Sequence, residues 1–480
     1  MPAGGRADDI QSAKFTNATV FQDGTRPLAP HTTAAMSLFP QATTLALAAP
    51  NLILGPFTLL GLAIPVILLG ELLARRIGWL GRSNIPAPII GGLLVALALL
   101  LIGELRPGAV VLDGSTANRW WLWPILPQWS LSAPNPVDVE RPFLILFFTC
   151  IGLNASWSVA RRGGLPLLVF LGLATGFAVI QSVSGVLTAL ALGESPLLGI
   201  MSSTVSLMGG FGTSAGFAPE FQKAGLDGAA AIGIAAAAFG VIAGGLIAGP
   251  VAGRLLEKKV FREKRTSSLD GTARQSVDAG DQPGFLGEVR DLALHSRSLA
   301  LHLLVLGACL KLGAFLSVAI QQAGITFPIY MGSMLVAAVV RNLHDGLRGG
   351  WLSNERTDAI ASVALTWLLT VVMIDLRLDQ LAHAALPMLV ILAVQVVLIA
   401  AFAYWVVFPV MGRDYEAATM SAGVIGFGLG ATSNAVATMR VLASRFGPAP
   451  RAFLIVTVVG AFLIDFTNAI LITTTLNLFK

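Results

Sequence analysis

Charge is what this sequence has least of. Of its 480 residues only 12% are Asp, Glu, Lys or Arg, against 55% hydrophobic. A soluble globular chain is about a quarter charged. A water-facing globular protein is therefore excluded, and a polytopic membrane protein is indicated. Cysteine is almost absent. Cys150 and Cys309 both lie in apolar runs, so they build no disulfide framework and read as small core residues. The few histidines, His302 and His383 among them, have no Cys or His neighbours at ligand spacing, which excludes a zinc-type centre. The net charge of +5 is not a nucleic-acid footprint, because membrane chains collect Lys and Arg on their cytoplasmic side. The N-terminal stretch does not read as a signal peptide either. Residues 1–48 are polar, without a basic stretch followed by an apolar run, and read as a disordered extension in which Met36 is an alternative start.

What the chain does have is long apolar runs, at 51–75, 88–104, 142–160, 164–192, 228–255, 297–319, 326–342, 358–378, 386–411 and 451–477. The length rule makes these about ten transmembrane helices. Two stretches break the pattern with Gly, Ser, Thr and Asn, at 195–226 and 413–446. Arg75, Arg76, Arg82, Arg161, Arg162, the basic run from Arg254 to Arg265, Arg341, Arg348 and Arg356 all fall on one side if neither odd stretch crosses. That side is cytoplasmic by the positive-inside rule, and both termini are then outside. The loop 105–141 carries Trp120, Trp121, Trp123 and Trp129, an interfacial aromatic belt.

The two halves repeat one design. "MSSTVSLMGGFGTSAG" (201–216) written over "MSAGVIGFGLGATSNA" (420–435) aligns Met201 with Met420, Gly209 with Gly428, Thr213 with Thr432 and Ser214 with Ser433. Upstream, "FFTCIGLNA" (147–155) matches "LLTVVMIDL" (368–376), and "APIIGGLLVALAL" (87–99) matches "FPIYMGSMLVAAV" (327–339). A duplication of five crossings inverts the second copy. The expected architecture is all-α: an extension 1–48, a first inverted repeat 49–255, a cytoplasmic linker 256–296 and a second inverted repeat 297–480, each repeat with a re-entrant hairpin. Inverted repeats with helix breaks at matching places mark a secondary transporter and its binding site. Non-helical backbone at membrane depth survives only where protein or a wet cavity satisfies it. The candidate substrate-binding residues are Gly209, Gly210, Gly212, Thr213 and Ser214 at one tip, and Gly428, Gly430, Thr432, Ser433 and Asn434 at the other, with Arg440 beyond it. Half-helix N-termini there suit an anion, and freed carbonyls suit Na⁺. Close packing of small residues is the alternative reading of such glycines.

"YEAATMSAGVIGFGLGATSNAVATMRVLASRFGP" (415–448) with "VGAFLIDFTNAI" (459–470) resembles the second signature region of the glutamate:sodium symporter family. "FFTCIGLNAS" (147–156), "STVSLMGGFGTSAGF" (203–217) and "AFGVIAGGLIAGPVA" (238–252) resemble its first-half segments. The resemblance runs from about 50 to 478 and implies sodium-coupled uptake of L-glutamate across the cytoplasmic membrane. It also implies two five-helix inverted domains, two re-entrant loops and a homodimer. No enzyme activity and no cofactor are expected, with Na⁺ as the coupling ion. One departure stands out: Phe211 lies in "GGFGT" where the family carries His.

Ionisable groups inside spans default to function. Asp465, with Thr467 and with Asn468 on the same helical face, offers hard oxygens to Na⁺, and Asn154 is a matching first-half anchor. The competing reading pairs Asp465 with Arg440 as structural glue. Glu71 is expected to pair with Arg75 one turn on, Asp375 to be wet, and Lys311 to snorkel. Other functions remain in view. A Na⁺- or H⁺-coupled carrier of another small carboxylate is the runner-up. A channel would use the two loops as a filter, but filters recur around a symmetry axis. Gly212-Thr213-Ser214-Ala215-Gly216 matches the G-x-S-x-G elbow of a serine hydrolase, but nothing here reads as the strand that the elbow needs.

Overall fold

The computed structural model describes residues 52–78, 85–106, 109–112, 115–116, 137–257, 285–294, 296–322, 327–347, 352–376, 378–430 and 432–479. The expected extension 1–48, the four loop tryptophans and most of the expected linker 256–296 lie outside the described residues. The described chain is helical, apart from short strands that the hydropathy did not announce. β1 (Leu52–Leu54) pairs in parallel with β2 (Val110–Leu112), and β3 (Ser115–Thr116) is antiparallel to β4 (Val137–Asp138).

The helices of the first half are α1 (Pro56–Arg76), α2 (Ala87–Leu105), α3 (Arg141–Asn154), α4 (Trp157–Arg162), α5 (Gly164–Ala191), α6 (Pro196–Met208), α7 (Gly210–Lys223) and α8 (Ala229–Glu257). A short α9 (Phe285–Leu294) leads into α10 (Ser296–Gln322), α11 (Ile329–Gly346), α12 (Asn354–Ile374) and α13 (Leu378–Phe402, continued to Val410). Then follow α14 (Tyr415–Gly428), α15 (Thr432–Phe446) and α16 (Pro450–Leu478). Prolines sit in the first turns of α1, α2, α3, α6 and α16, where a fixed φ and a missing N–H cost nothing. Arg75 and Arg76 close α1 at its negative dipole end.

Eight described helices are long and apolar enough to cross a bilayer: α1, α2, α5, α8, α10, α12, α13 and α16. The other two expected crossings are weaker for identifiable reasons. The expected run 142–160 stops at Asn154, where Ala155 leaves helical geometry, and α4 restarts at Trp157. The last turns of α11 carry Arg341, Asn342, His344 and Asp345.

The order of elements recurs in the halves: three helices, a long helix, a broken helix pair and a long helix. Their packing is exchanged. Helix α3 packs on α10 and α11 of the second half, and α12 packs on α1 and α2 of the first. Glycines permit both approaches, with Gly152 against the backbone of Met334 and Gly92 against Met373. These six helices make one set. The other set is α5–α8 with α13–α16, in which α8 packs on α6, α7, α13 and α14. Contact between the sets runs chiefly through α7, which touches α3 and α12. Glu71 does not close a pair with Arg75; its carboxylate instead accepts from the Phe285 N–H at 2.5 Å. Cys150 and Cys309 are free and buried in one apolar cluster. Asp375 is exposed at the end of α12, and Lys311 lies 5.5 Å from the Phe315 ring centre.

Candidate functional site

Both glycine-rich stretches fold as helix–break–helix. Helix α6 starts under a Ser195 cap, whose Oγ accepts from Leu197 N at 3.3 Å. Its second half is wound as a π-helix, with Ser203 outside helical geometry at φ −120° and ψ −107°. Such π-segments collect at functional places. The chain then turns at Gly209–Gly210, and Gly210 holds φ +68°, a left-handed position that favours glycine. In the second pair, Asp414 Oδ1 accepts from Ala417 N at 2.7 Å to start α14, which breaks after Gly428.

The two breaks meet. A Cβ on Gly210 would stand 2.6 Å from the Gly430 carbonyl oxygen, so only a glycine allows this contact. Gly428 O accepts from Gln181 Nε2 at 2.9 Å. Gln181 is fully buried, and its main-chain oxygen accepts in turn from the buried Gln395 at 3.2 Å. Ser214 Oγ lies 2.8 Å from Gly210 O, 3.1 Å from Ser206 Oγ and 3.3 Å from Gly233 O. It is a structural tie, and among the described residues no histidine reaches it, so no hydrolase elbow forms. Thr213 is buried under Gly209, and Gly212 faces the Phe147 ring. Asn434 Nδ2 donates to Val241 O at 2.9 Å. Thr432 Oγ1 donates to Gly460 O, while Ser433 is exposed.

Gly460 belongs to a π-segment of α16, Val459–Leu463, that immediately precedes Asp465. Two turns on from Gly460, Asn468 Oδ1 accepts from Thr204 Oγ1 at 2.7 Å, and Asn468 Nδ2 donates to Thr204 O at 3.2 Å. Thr467 Oγ1 lies 3.2 Å from Thr175 Oγ1. Asp465 itself lies in the first turn of the α-helical part of α16, Ile464–Leu478, just after this π-segment. Among the described residues no hydrogen bond or ion pair reaches it. The glue reading fails on this point: Arg440 is exposed on α15 and makes no ion pair among the described residues. Asp465, Thr467 and Asn468 fit a hard monovalent cation by donor type.

Asn154 does not join them. At the end of α3 its Nδ2 donates to Asp358 Oδ1 at 2.6 Å, which ties it to α12. Phe211, at the first turn of α7, is buried among Ile89, Leu369 and Met373 of one helix set and Ile234, Ala237 and Val241 of the other. Its socket is apolar, which suits phenylalanine and leaves no polar group at this point of the tip. Hydropathy also passed over Tyr330, Gln181, Gln395 and Asp358. Polar side chains in apolar runs were the available signal for Gln181 and Gln395.

The family model for the sodium/glutamate symporter matches residues 52–123 and 127–448. The chain belongs to the sodium/glutamate symporter family. A sodium/glutamate symporter of Haemophilus influenzae is 36% identical over 415 residues, covering 86% of this chain and 95% of that protein. Those of Escherichia coli and Shigella flexneri are each 33% identical over 409 residues, covering 85% of this chain and 93% of theirs. No solved structure matches the chain. As a member of a symporter family it is a transporter and not an enzyme. The family match ends at 448, before α16, so the geometry around Asp465 rests on the structure itself.

Proposed function

We propose that this chain imports L-glutamate across the cytoplasmic membrane with Na⁺, by alternating access. The observation that carries the reading is the meeting of the two helix breaks at Gly210 and Gly430, with the start of α15 bonded through Thr432 to the π-segment that comes just before Asp465. Helices α7 and α15 both begin at these tips, and their N-termini favour an anion. Substrate carboxylates sit there, near Gly209, Gly212, Thr213 and Ser433. Na⁺ takes the Asp465 carboxylate with oxygens of Thr467 and Asn468. Asn154, held by Asp358, is a tie between α3 and α12 and no Na⁺ ligand. Arg440 lies along α15, where its charge draws the anion toward the tip.

Ten crossings in two inverted repeats of five, both helix pairs re-entrant and both termini outside, fit the recurring element order and the exchanged packing of α3 and α12. In such repeats alternating access is largely rigid-body motion about the site. The set α1–α3 with α10–α12 is the scaffold, and the set α5–α8 with α13–α16 carries the site, elevator-like, in a homodimer. The alternative, another small carboxylate, is favoured by one observation: Phe211 in its apolar socket. The test is uptake into proteoliposomes under an imposed Na⁺ gradient. Concentrative L-glutamate uptake that collapses with the gradient is expected. Absence of glutamate uptake at every Na⁺ level, with uptake of a hydroxy- or tricarboxylate, overturns the substrate assignment.

A further inference from the structure

Helices α8 and α15 are pinned together near the helix breaks and stand apart at their other ends. Near the breaks, Asn434 Nδ2 donates to Val241 O at 2.9 Å, and a Cβ on Gly244 would stand 3.0 Å from Asn434 Nδ2. There the glycine serves close packing. Further along α8, Gly249 and Gly253 have no such duty, because a Cβ on either would meet nothing within 4 Å. Both line a cavity of about 530 Å³ between the last turns of the two helices, a size in the range of small-molecule sites. The other walls include Leu256 of α8 and Val441, Leu442 and Phe446 of α15. Thr438 and Arg445 are the polar side chains of the lining. From Gly249 to Leu256 the wall is about 10 Å long at 1.5 Å per residue, so the cavity runs inward from the end of the α8 span.

Val441 and Phe446 are both more than half exposed. Apolar side chains grouped at a surface mark contact with another apolar body. The charge at this end is positive. Arg445 makes no ion pair among the described residues, and Arg254, next to Gly253, is exposed. The sequence continues past α8 with Lys258, Lys259, Arg262, Lys264 and Arg265, which outnumber Glu257 and Glu263. A basic run directly after a membrane span attracts anionic lipid. The cavity thus joins apolar walls, space that no side chain fills and a cation, beside a basic run.

We propose that this cavity binds one anionic phospholipid, its phosphate on the Arg445 guanidinium and an acyl chain against Gly249, Gly253, Leu442 and Phe446. The match is one of chemistry at both ends. A planar guanidinium grips phosphate through two parallel hydrogen bonds. The missing Cβ atoms leave room for the chain. A free phosphate would satisfy Arg445 and leave the apolar walls wet. A zwitterionic lipid would bring its own cation against a basic end. The lipid fills the wedge between α8 and the outer half of α15, where the bond from Asn434 to Val241 does not reach. It therefore steadies the helix whose inner end carries Thr432 and Asn434. The inference depends on neither the transported substrate nor the coupling ion.

The experiment is native mass spectrometry of the full-length protein purified in a neutral detergent. It is titrated with phosphatidylglycerol and, in separate arms, with phosphatidylcholine and with glycerol 3-phosphate. The chains compared are wild type, Arg445→Gln, Gly253→Leu and Arg76→Gln. Wild type should take up a first phosphatidylglycerol at concentrations where neither of the other two binds. Arg445→Gln should raise the half-saturating concentration roughly tenfold, the order of a lost hydrogen bond to a charged group. Gly253→Leu puts a side chain into the open space and should raise it by as much, with no fall in melting temperature, since leucine is the better helix former. Arg76→Gln, at the end of α1, should titrate as wild type does. Equal uptake of phosphatidylcholine, or glycerol 3-phosphate binding as tightly as the lipid, overturns the proposal. A wild-type titration in Arg445→Gln or in Gly253→Leu overturns it as well. Should Gly253→Leu fail to fold, Gly249→Ala fills part of the same space, and an unchanged midpoint in both it and the exposed Arg445→Gln is equally fatal.

Discussion

Asp465 carries the sharpest single-residue consequence. Among the described residues its carboxylate has no ion pair to break, and Arg440 is exposed on α15. Asp465→Asn therefore removes the proposed cation ligand without stranding a buried arginine. We expect yield and monodispersity near wild type and at least tenfold more Na⁺ for half-maximal uptake. A sodium titration of proteoliposome uptake measures this, and an unchanged midpoint counts against the assignment. Asp465 stands out in the sequence because one acid in an apolar run has few cheap explanations. The bond that Asn154 makes was not legible. Its partner is Asp358, 204 residues away, and no local pattern discloses a bond of that reach. Tyr330 gave no signal, since an aromatic in an apolar run looks like any other core residue until its hydroxyl is seen to lack a partner.

At the scale of elements, the helix breaks were the most legible feature. Gly at 209–210 and 428–430 with hydroxyls around it punctuates any helix, and the chain breaks at both places. Less legible was how the ends are held. Gln181 Nε2 donates to Gly428 O at the last turn of α14, where helix carbonyls lack intrahelical partners. Gln181→Leu leaves that carbonyl buried without a donor, at a cost of about 1–3 kcal/mol. The expected outcome is a lower melting temperature and weaker substrate-dependent stabilisation, with Na⁺-dependent stabilisation kept. A variant with wild-type melting behaviour would show that the bond does not hold the tip. The π-segments of α6 and α16 and the early stop of α3 were not legible. They follow from tertiary contacts such as Thr204 with Asn468, and local propensity is a weak prior where tertiary context decides.

At the scale of the whole molecule, the two helix sets meet along α7, where glycines alternate with Phe211 and Phe217. Gly212 lies under Phe147, and Gly216 lies under Leu144, Phe148 and Tyr330. These glycines let α7 seat closely against the aromatic side chains of α3 and α11. A Cβ at Gly216 would stand 3.0 Å from Tyr330 Cε1 and 3.3 Å from both Leu144 Cδ1 and Phe148 Cε2, tight but within reach of small shifts. The branched Gly216→Val cannot be absorbed so easily, and overpacking of this kind costs about 1–3 kcal/mol. In the proposed movement this contact exists in only one arrangement, so the cost falls on this conformation alone. The population then moves toward the other conformation by about 5- to 150-fold. Gly216→Val should therefore bind Na⁺ and still fold, while its uptake rate falls about tenfold or more; Gly216→Ala should lie between it and wild type. Initial uptake rates, read beside Na⁺-dependent thermal stabilisation, separate a blocked movement from a damaged site. Wild-type uptake in Gly216→Val would mean that α7 does not slide on α3, and the division into scaffold and carrier would have to be drawn elsewhere.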